Sequence, residues 1–346
     1  MKKTFIWEAA GRLTRLRNRG EFALQKDRGT VICFDPSLET NNLGDEIIMR
    51  YCLRELENLF PEGRFDHIPT HVLPTREEAV LAERTKYKFV CGTNLLTSQI
   101  EHHWRWILPE GFRGKRNFRN VILLGCGWGE YQEDCSGYTK MIYRSMLNPS
   151  VMHSVRDQYT LEKLRRSGIR NVLNTGCPTT WGLTPEHCRT IPKGKADTVV
   201  TTVTDYRPDP TRDQEMLDIL SRNYERILLW PQGKGDADYL KKLSLPRNLQ
   251  ILPGNLAAYE EYLARGNVDY VGTRLHGGIH ALNHGVRTIL VSVDNRAAEL
   301  GRDIHLPVLD RSRIAGELGQ RIRENFETRI RIPQEDINRF RNQFRR

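Results

Sequence analysis

A chain of 346 residues is long enough for two domains of ordinary size, each with its own core. Hydrophobic content of 38% with 28% charged is that of a soluble globular protein, and no apolar run is long enough to cross a bilayer. Fifty-three Lys and Arg against 43 Asp and Glu leave a net charge of +10, which suits an anionic partner without choosing among small substrate, nucleic acid and membrane surface.

Residues 1–28 form a basic N-terminal extension carrying Arg12, Arg15, Arg17 and Arg19. Its apolar patch before Glu8 is too short for a signal peptide. The stretch reads as a leader helix, or as a helix lying peripherally on an anionic membrane. Seven cysteines, with no CxxC pair, point to reduced thiols rather than a disulfide framework, and so to a cytoplasmic protein.

From Thr30 onward, apolar runs of strand length alternate with helical patterns. The first series places strands at 30–35, 88–92, 120–125, 151–155 and 171–176, with helices over 45–59, 76–85, 138–147 and 159–167. The second places strands at 197–205, 226–233, 249–254, 268–273 and 288–294, with helices over 214–222, 236–243, 256–264 and 275–284. Short apolar strands separated by helices predict parallel sheets covered on both faces. The expected fold class is therefore α/β, with two Rossmann-like domains facing a central cleft. The polar, two-proline stretch 184–195 divides them, giving domains at 29–188 and 189–330. Residues 331–346 read as a C-terminal helix with Ile337, Phe340 and Phe344 on one face.

The sharpest local feature is Arg274-Leu275-His276, where a strand hands over to a helix. A guanidinium at a helix N-terminus beside an imidazole can hold an oxyanion and shuttle a proton. Arg296, past the following strand, would return a second cation to the same edge. His276, His280 and His284 share a helix face at metal-ligand spacing, yet no Cys or carboxylate neighbour completes a set, so no metal is expected. Arg156, in His153-Ser154-Val155-Arg156-Asp157, can grip a carboxylate or phosphate bidentately, or simply pair with Asp157.

The remaining candidates sit in loops after strands. Asn42, Gly44 and Asp45, within NNLGDE, serve either a hydroxyl-rich ligand or a helix cap. Asn94 and Gly127 follow two strand ends where glycines admit tight turns or close approach of a ligand. Trp128 reads equally as a stacking platform and as core. Asp205 could orient an acceptor or end a turn.

In this order and spacing the pieces NLGDE, GCGWGE, HSVRDQYTLEKLRRSG and TRLHGGIHALNHGVRTILV resemble the polysaccharide pyruvyl transferase family. The resemblance implies a glycosyltransferase-B-like fold. It also implies transfer of a pyruvyl group from phosphoenolpyruvate to a sugar of an exopolysaccharide or cell-surface glycan, or of its lipid-linked precursor, as a ketal. Its SxRD arginine falls on Arg156 and its RxH pair on Arg274 and His276, which become the expected catalytic residues. Arg296, Leu275, Asn42, Gly44, Asp45, Asn94, Gly127 and Asp205 become the expected substrate-binding residues. The family commonly has lysine where this chain has Arg296, and Arg keeps its proton, so anion binding is expected there rather than proton transfer. No cofactor is implied, phosphoenolpyruvate being a substrate, and no nucleic acid partner. The alternative activity on the same architecture is a glycosyltransferase using a nucleotide sugar.

Overall fold

The computed structural model describes residues 29–102, 106–109 and 116–345. The basic stretch 1–28, and with it the membrane-lying reading, falls outside the described residues. Two compact units emerge. The first holds the described residues through Thr40, Met49–Pro178 and those from Glu335 on; the second holds Asn41–Ile48 and Thr179–Gln334.

The division at Pro178–Thr179 differs from the boundary read at 188–189, and the reason is local. Residues 184–195 do not form a bare linker: Thr184 caps a helix, Pro185–Thr190, by accepting from His187 N–H. His187 Nε2 then sits 2.7 Å from the Leu282 carbonyl, within the second unit.

In the first unit the chain runs β1 (Thr30–Asp35), α1 (Leu43–Leu59), β2 (Arg64–Pro69), α2 (Arg76–Arg84), β3 (Tyr87–Cys91), β4 (Val121–Leu124), α3 (Gly137–Met146), β5 (His153–Val155), α4 (Gln158–Arg166) and β6 (Val172–Asn174). The start of α1, through Ile48, counts with the second unit. Strands β2-β1-β3-β4 form a parallel sheet, β5 and β6 pair in parallel, and a parallel bridge links Cys126 to Val155. Val31–Phe34 and Val121–Leu124 are buried on both faces, which is why they read as unbroken apolar runs. Strand β2, RFDHIP, carries no such run: it lies at the sheet edge and only Ile68 in it is buried.

The second unit continues with α5 (Pro185–Thr190), β7 (Thr198–Thr202), α6 (Pro210–Asn223), β8 (Arg226–Leu229), α7 (Asp236–Leu240), β9 (Leu249–Ile251), α8 (Leu256–Ala264), β10 (Val268–Gly272), α9 (Leu275–Asn283), β11 (Arg287–Ser292), α10 (Asn295–Ile304), β12 (Val308–Asp310) and α11 (Gly319–Arg323). Its six-stranded parallel sheet has the order β12-β11-β10-β7-β8-β9. The chain starts in the middle at β7, winds out to β9, then returns to the other side of β7 with β10. That reversal makes the carboxyl ends of β7 and β10 a topological switch point, where open α/β sheets bind ligands.

The last helix, α12 (Gln334–Asn342), buries Ile337 and Phe340 as its one-sided pattern predicts. Arg341 makes a two-pronged ion pair with Glu55 at 2.6 and 2.7 Å, and Phe344 packs 5.4 Å from the Phe89 ring, all within the first unit. All seven cysteines are buried and none is in a disulfide. Among the described residues no helix is long and apolar enough to cross a membrane.

Candidate functional site

In the second unit the site is assembled by strand ends. Asp205 and Tyr206 follow β7, Gln232 and Gly233 follow β8, Arg274 follows β10, and Asp294 and Arg296 follow β11. Four adjacent strands thus deliver one cluster at their carboxyl ends.

Arg274 occupies the N-cap position of α9 and is 3% exposed. Its Nε donates to the Val203 carbonyl at 3.1 Å, and its Nη2 donates to Asp205 at 2.7 Å and to Asp236. These bonds leave Nη1 with no hydrogen-bond partner among the described residues. Asp236 is fully buried and also accepts from the Gln232 and Gly233 amides at 3.0 and 2.8 Å. Burial pushes its carboxyl above the usual carboxylate range, with the Arg274 guanidinium and the Gly233 amide pulling against that rise. No side chain caps α9, so the positive end of its dipole opens at Leu275 and His276. Gly277 and Gly278 are there for packing: a Cβ on Gly277 would come within 2.9 Å of Gln232 Oε1, and one on Gly278 would meet Tyr270 at 2.7 Å.

Arg296 lies at this edge, where the sequence reading put a second cation, and it too is held by partners. Its Nε and Nη2 pair with Asp294, at 3.0 and 2.5 Å, and Nη2 also donates to the Tyr206 hydroxyl. Its Nη1 has no hydrogen-bond partner among the described residues. The Tyr206 ring centroid lies 5.0 Å from the Arg274 guanidinium carbon and 5.3 Å from that of Arg296, so one aromatic ring steadies both cations.

Asn42, Gly44 and Asp45 join this second unit, although in sequence they follow the first strand. Leu43 N–H donates to the Gln232 carbonyl at 2.9 Å, and Lys234 N–H to that of Asn41 at 3.0 Å. Gln232 Nε2 donates to Asn42 Oδ1 at 2.8 Å, and a Cβ on Gly44 would approach that Nε2 to 2.6 Å. Gly44 is needed for this close packing. Asn42 in turn holds Asp45 through its amide at 3.4 Å.

In the first unit Arg156, 1% exposed, is treated in the same way. Nε donates to Asp157 at 3.1 Å and Nη1 to Asn94 at 2.5 Å, while Nη2 is buried and has no hydrogen-bond partner among the described residues. Asp157 also caps α4 through the Thr160 amide at 2.8 Å. Both roles read for Asp157, cap and arginine partner, are thus filled at once. The loops carrying Asn94 and Gly127 are pinned together, Gly127 N–H donating to Thr93 at 2.8 Å. Trp128 is core, fully buried, with its indole N–H on Gln132 at 2.9 Å; a ring with no exposed face cannot stack on a sugar.

Tyr206, Gln232 and Asp236 were not legible as site residues. Asp236 reads as an ordinary helix-opening acid, and only sheet order brings it to Arg274. One premise of the histidine reading changes as well. A carboxylate does complete the histidine pair: Glu260, from α8, sits 3.0 Å from His280 Nε2.

Two Rossmann-like units with parallel sheets, and arginines fixed at strand carboxyl ends, define a glycosyltransferase-B-like protein of the α/β class. The chain belongs to the polysaccharide pyruvyl transferase family, whose model matches residues 42–295. The solved UDP-GlcNAc 2-epimerase of Methanocaldococcus jannaschii is similar in fold at 11% identity, with 88% of this chain and 94% of that one covered and a TM-score of 0.51. E. coli heptosyltransferase WaaC aligns at 13% identity over 76% of this chain and 87% of its own, with a TM-score of 0.34. No curated protein matches the sequence.

Proposed function

We propose that this protein transfers the pyruvyl group of phosphoenolpyruvate to two hydroxyls of a glycan sugar, or of its lipid-linked precursor, forming a pyruvate ketal. The observation that carries the reading is the state of Arg274. It stands at a topological switch point and a helix N-terminus, anchored through two of its three nitrogens, with the third unpartnered among the described residues. A guanidinium so held spends no rotamer freedom when it receives an oxyanion. Arg156 and Arg296 are anchored in the same manner, each with one nitrogen left over. Phosphoenolpyruvate carries a carboxylate and a phosphate, the two groups that arginine binds best.

His276 delivers a proton to the methylene carbon, and C2 becomes electrophilic. One sugar hydroxyl adds to C2, the C2–O bond to phosphate breaks, and the second hydroxyl closes the ketal. Of the two hydroxyl protons, one replaces the proton spent on the methyl group and the other leaves with inorganic phosphate. Arg274 and Arg296 stabilise the departing phosphate's charge. Asp205, which also orients Arg274, orients the acceptor in this reading. The reaction takes place on the cytoplasmic side, where phosphoenolpyruvate is made.

The test is release of inorganic phosphate from phosphoenolpyruvate in the presence of candidate glycan acceptors. Arg274→Ala and His276→Ala should each lower turnover by a factor of about 10² or more. Undiminished turnover in both variants would remove the assignment. Thermal stabilisation by a nucleoside diphosphate with none by phosphoenolpyruvate would favour a nucleotide-sugar glycosyltransferase instead.

A further inference from the structure

We propose that Glu260, His280 and His284 form a site for a divalent transition metal, zinc above all, at the end of helix α9 remote from Arg274. His280 Nε2 lies 3.0 Å from Glu260 Oε1 and 3.2 Å from His284 Nε2, and all three ligand atoms fall within 4.8 Å of one another. Ligands at about 2.0–2.1 Å from a tetrahedral zinc are separated by about 3.4 Å, so small side-chain movements bring these atoms to coordination geometry.

The donor set suits a cation. With its ring proton on Nδ1, each imidazole presents an Nε2 lone pair, and the Glu260 carboxylate presents another. One cation at the common point takes a lone pair from each. The backbone adds to this, because His284 is the C-cap of α9, where the negative end of the helix dipole favours positive charge. Two histidines and one glutamate are a recognised zinc set, and they leave a fourth position open. Solvent reaches the site from the His284 side, His284 being exposed while His280 is buried and Glu260 half-buried.

The two ends of the site come from different helices, Glu260 from α8 and the histidines from α9. A bound metal therefore fastens α9, whose other end carries Arg274 and His276 about 15 Å away along its axis. The role is structural and lies outside the proposed chemistry, so its failure would leave the pyruvyl transfer reading intact.

The untagged full chain, stripped with chelator, is titrated with zinc chloride against a chromophoric competitor, and separately with cobalt chloride for its visible spectrum. The buried thiols are poorly placed to compete. One equivalent should bind with micromolar or tighter affinity and raise the thermal midpoint. His284→Ala, at an exposed position, should weaken binding at least about tenfold while leaving the metal-free midpoint within about a degree of the parent. Glu260→Gln should weaken it similarly. No uptake by the parent chain, or unchanged affinity in either variant, would overturn the proposal, the triad then being a shared-proton network.

Discussion

Gly127 and Arg156 are fitted to one another: a Cβ on Gly127 would overlap the Arg156 guanidinium. The glycine exists so that a buried cation can lie flat against the loop after β4, tethered to Asp157 and Asn94 and left with one unpartnered nitrogen. An always-charged group with a buried, unsatisfied N–H is costly to retain, and under the proposed function an anion or hydroxyl meets it.

Gly127→Ala should therefore act on Arg156 first. The added methyl has no room, and overpacking of this kind costs about 1–3 kcal/mol. Phosphate release from phosphoenolpyruvate should fall at least about tenfold, since a displacement of about 1 Å is enough to lose alignment. Urea denaturation and a phosphate assay on the same preparation check both numbers. Undiminished activity would show that the position of Arg156 is immaterial.

The two carboxylates on Arg274 should differ sharply. Asp236 is fully buried and Asp205 is 32% exposed in its side chain. Removing the buried partner, in Asp236→Ala, should cost about 3–5 kcal/mol by stranding a desolvated guanidinium. Asp205→Ala, where water can replace the carboxylate, should cost about 1 kcal/mol or less. Chemical denaturation of the two variants side by side settles the order.

Tyr206 predicts a kinetic rather than a structural effect. Tyr206→Ala removes the ring shared by Arg274 and Arg296, a loss of about 0.5–2 kcal/mol in cation–π energy. Tyr206→Phe keeps the ring and loses only the hydroxyl that meets Arg296. The alanine variant should raise KM for phosphoenolpyruvate more than the phenylalanine one. Equal KM values would mean the ring does not steady the cations.

His153 sets an acid limit on stability. Its Nδ1 accepts from the Leu123 amide at 3.2 Å, and its Nε2 donates to the Asn148 carbonyl at 3.0 Å, so the ring is neutral. Burial pushes its pKa from 6.5 down to about 4, against the pull of the Asn148 carbonyl. The unfolded chain takes up a proton below pH 6.5 while the folded one does not. Stability is therefore full above that pH and is lost as pH falls towards 4, by about 3 kcal/mol for this one group. Urea unfolding of the parent and of His153→Gln across that range should show the parent losing the additional amount.

Among the larger elements, ten of the twelve strands were visible as apolar runs, most of them because a strand covered on both faces has few polar positions to interrupt it. The two that were not, β2 and β12, have one buried residue each. The placing of Arg274 and His276 at a strand-to-helix turn was equally plain, since strand and helix differ in period and glycine punctuates the change. What remained hidden was everything that depends on which strand lies beside which.

By itself, then, the sequence determined the alternation of strands and helices, the family to which the chain belongs and the position of its arginines at strand ends. Only the tertiary structure decided their partners: Asp236 and Asp205 on Arg274, Asp294 and Tyr206 on Arg296, Asn94 on Arg156, and Glu260 beside His280. The physical reason is one of range. Periodicity and turn chemistry are written within a dozen residues, whereas the Arg274–Asp236 and Arg156–Asn94 pairs span 38 and 62 residues and exist only because parallel sheets stack distant strand ends side by side.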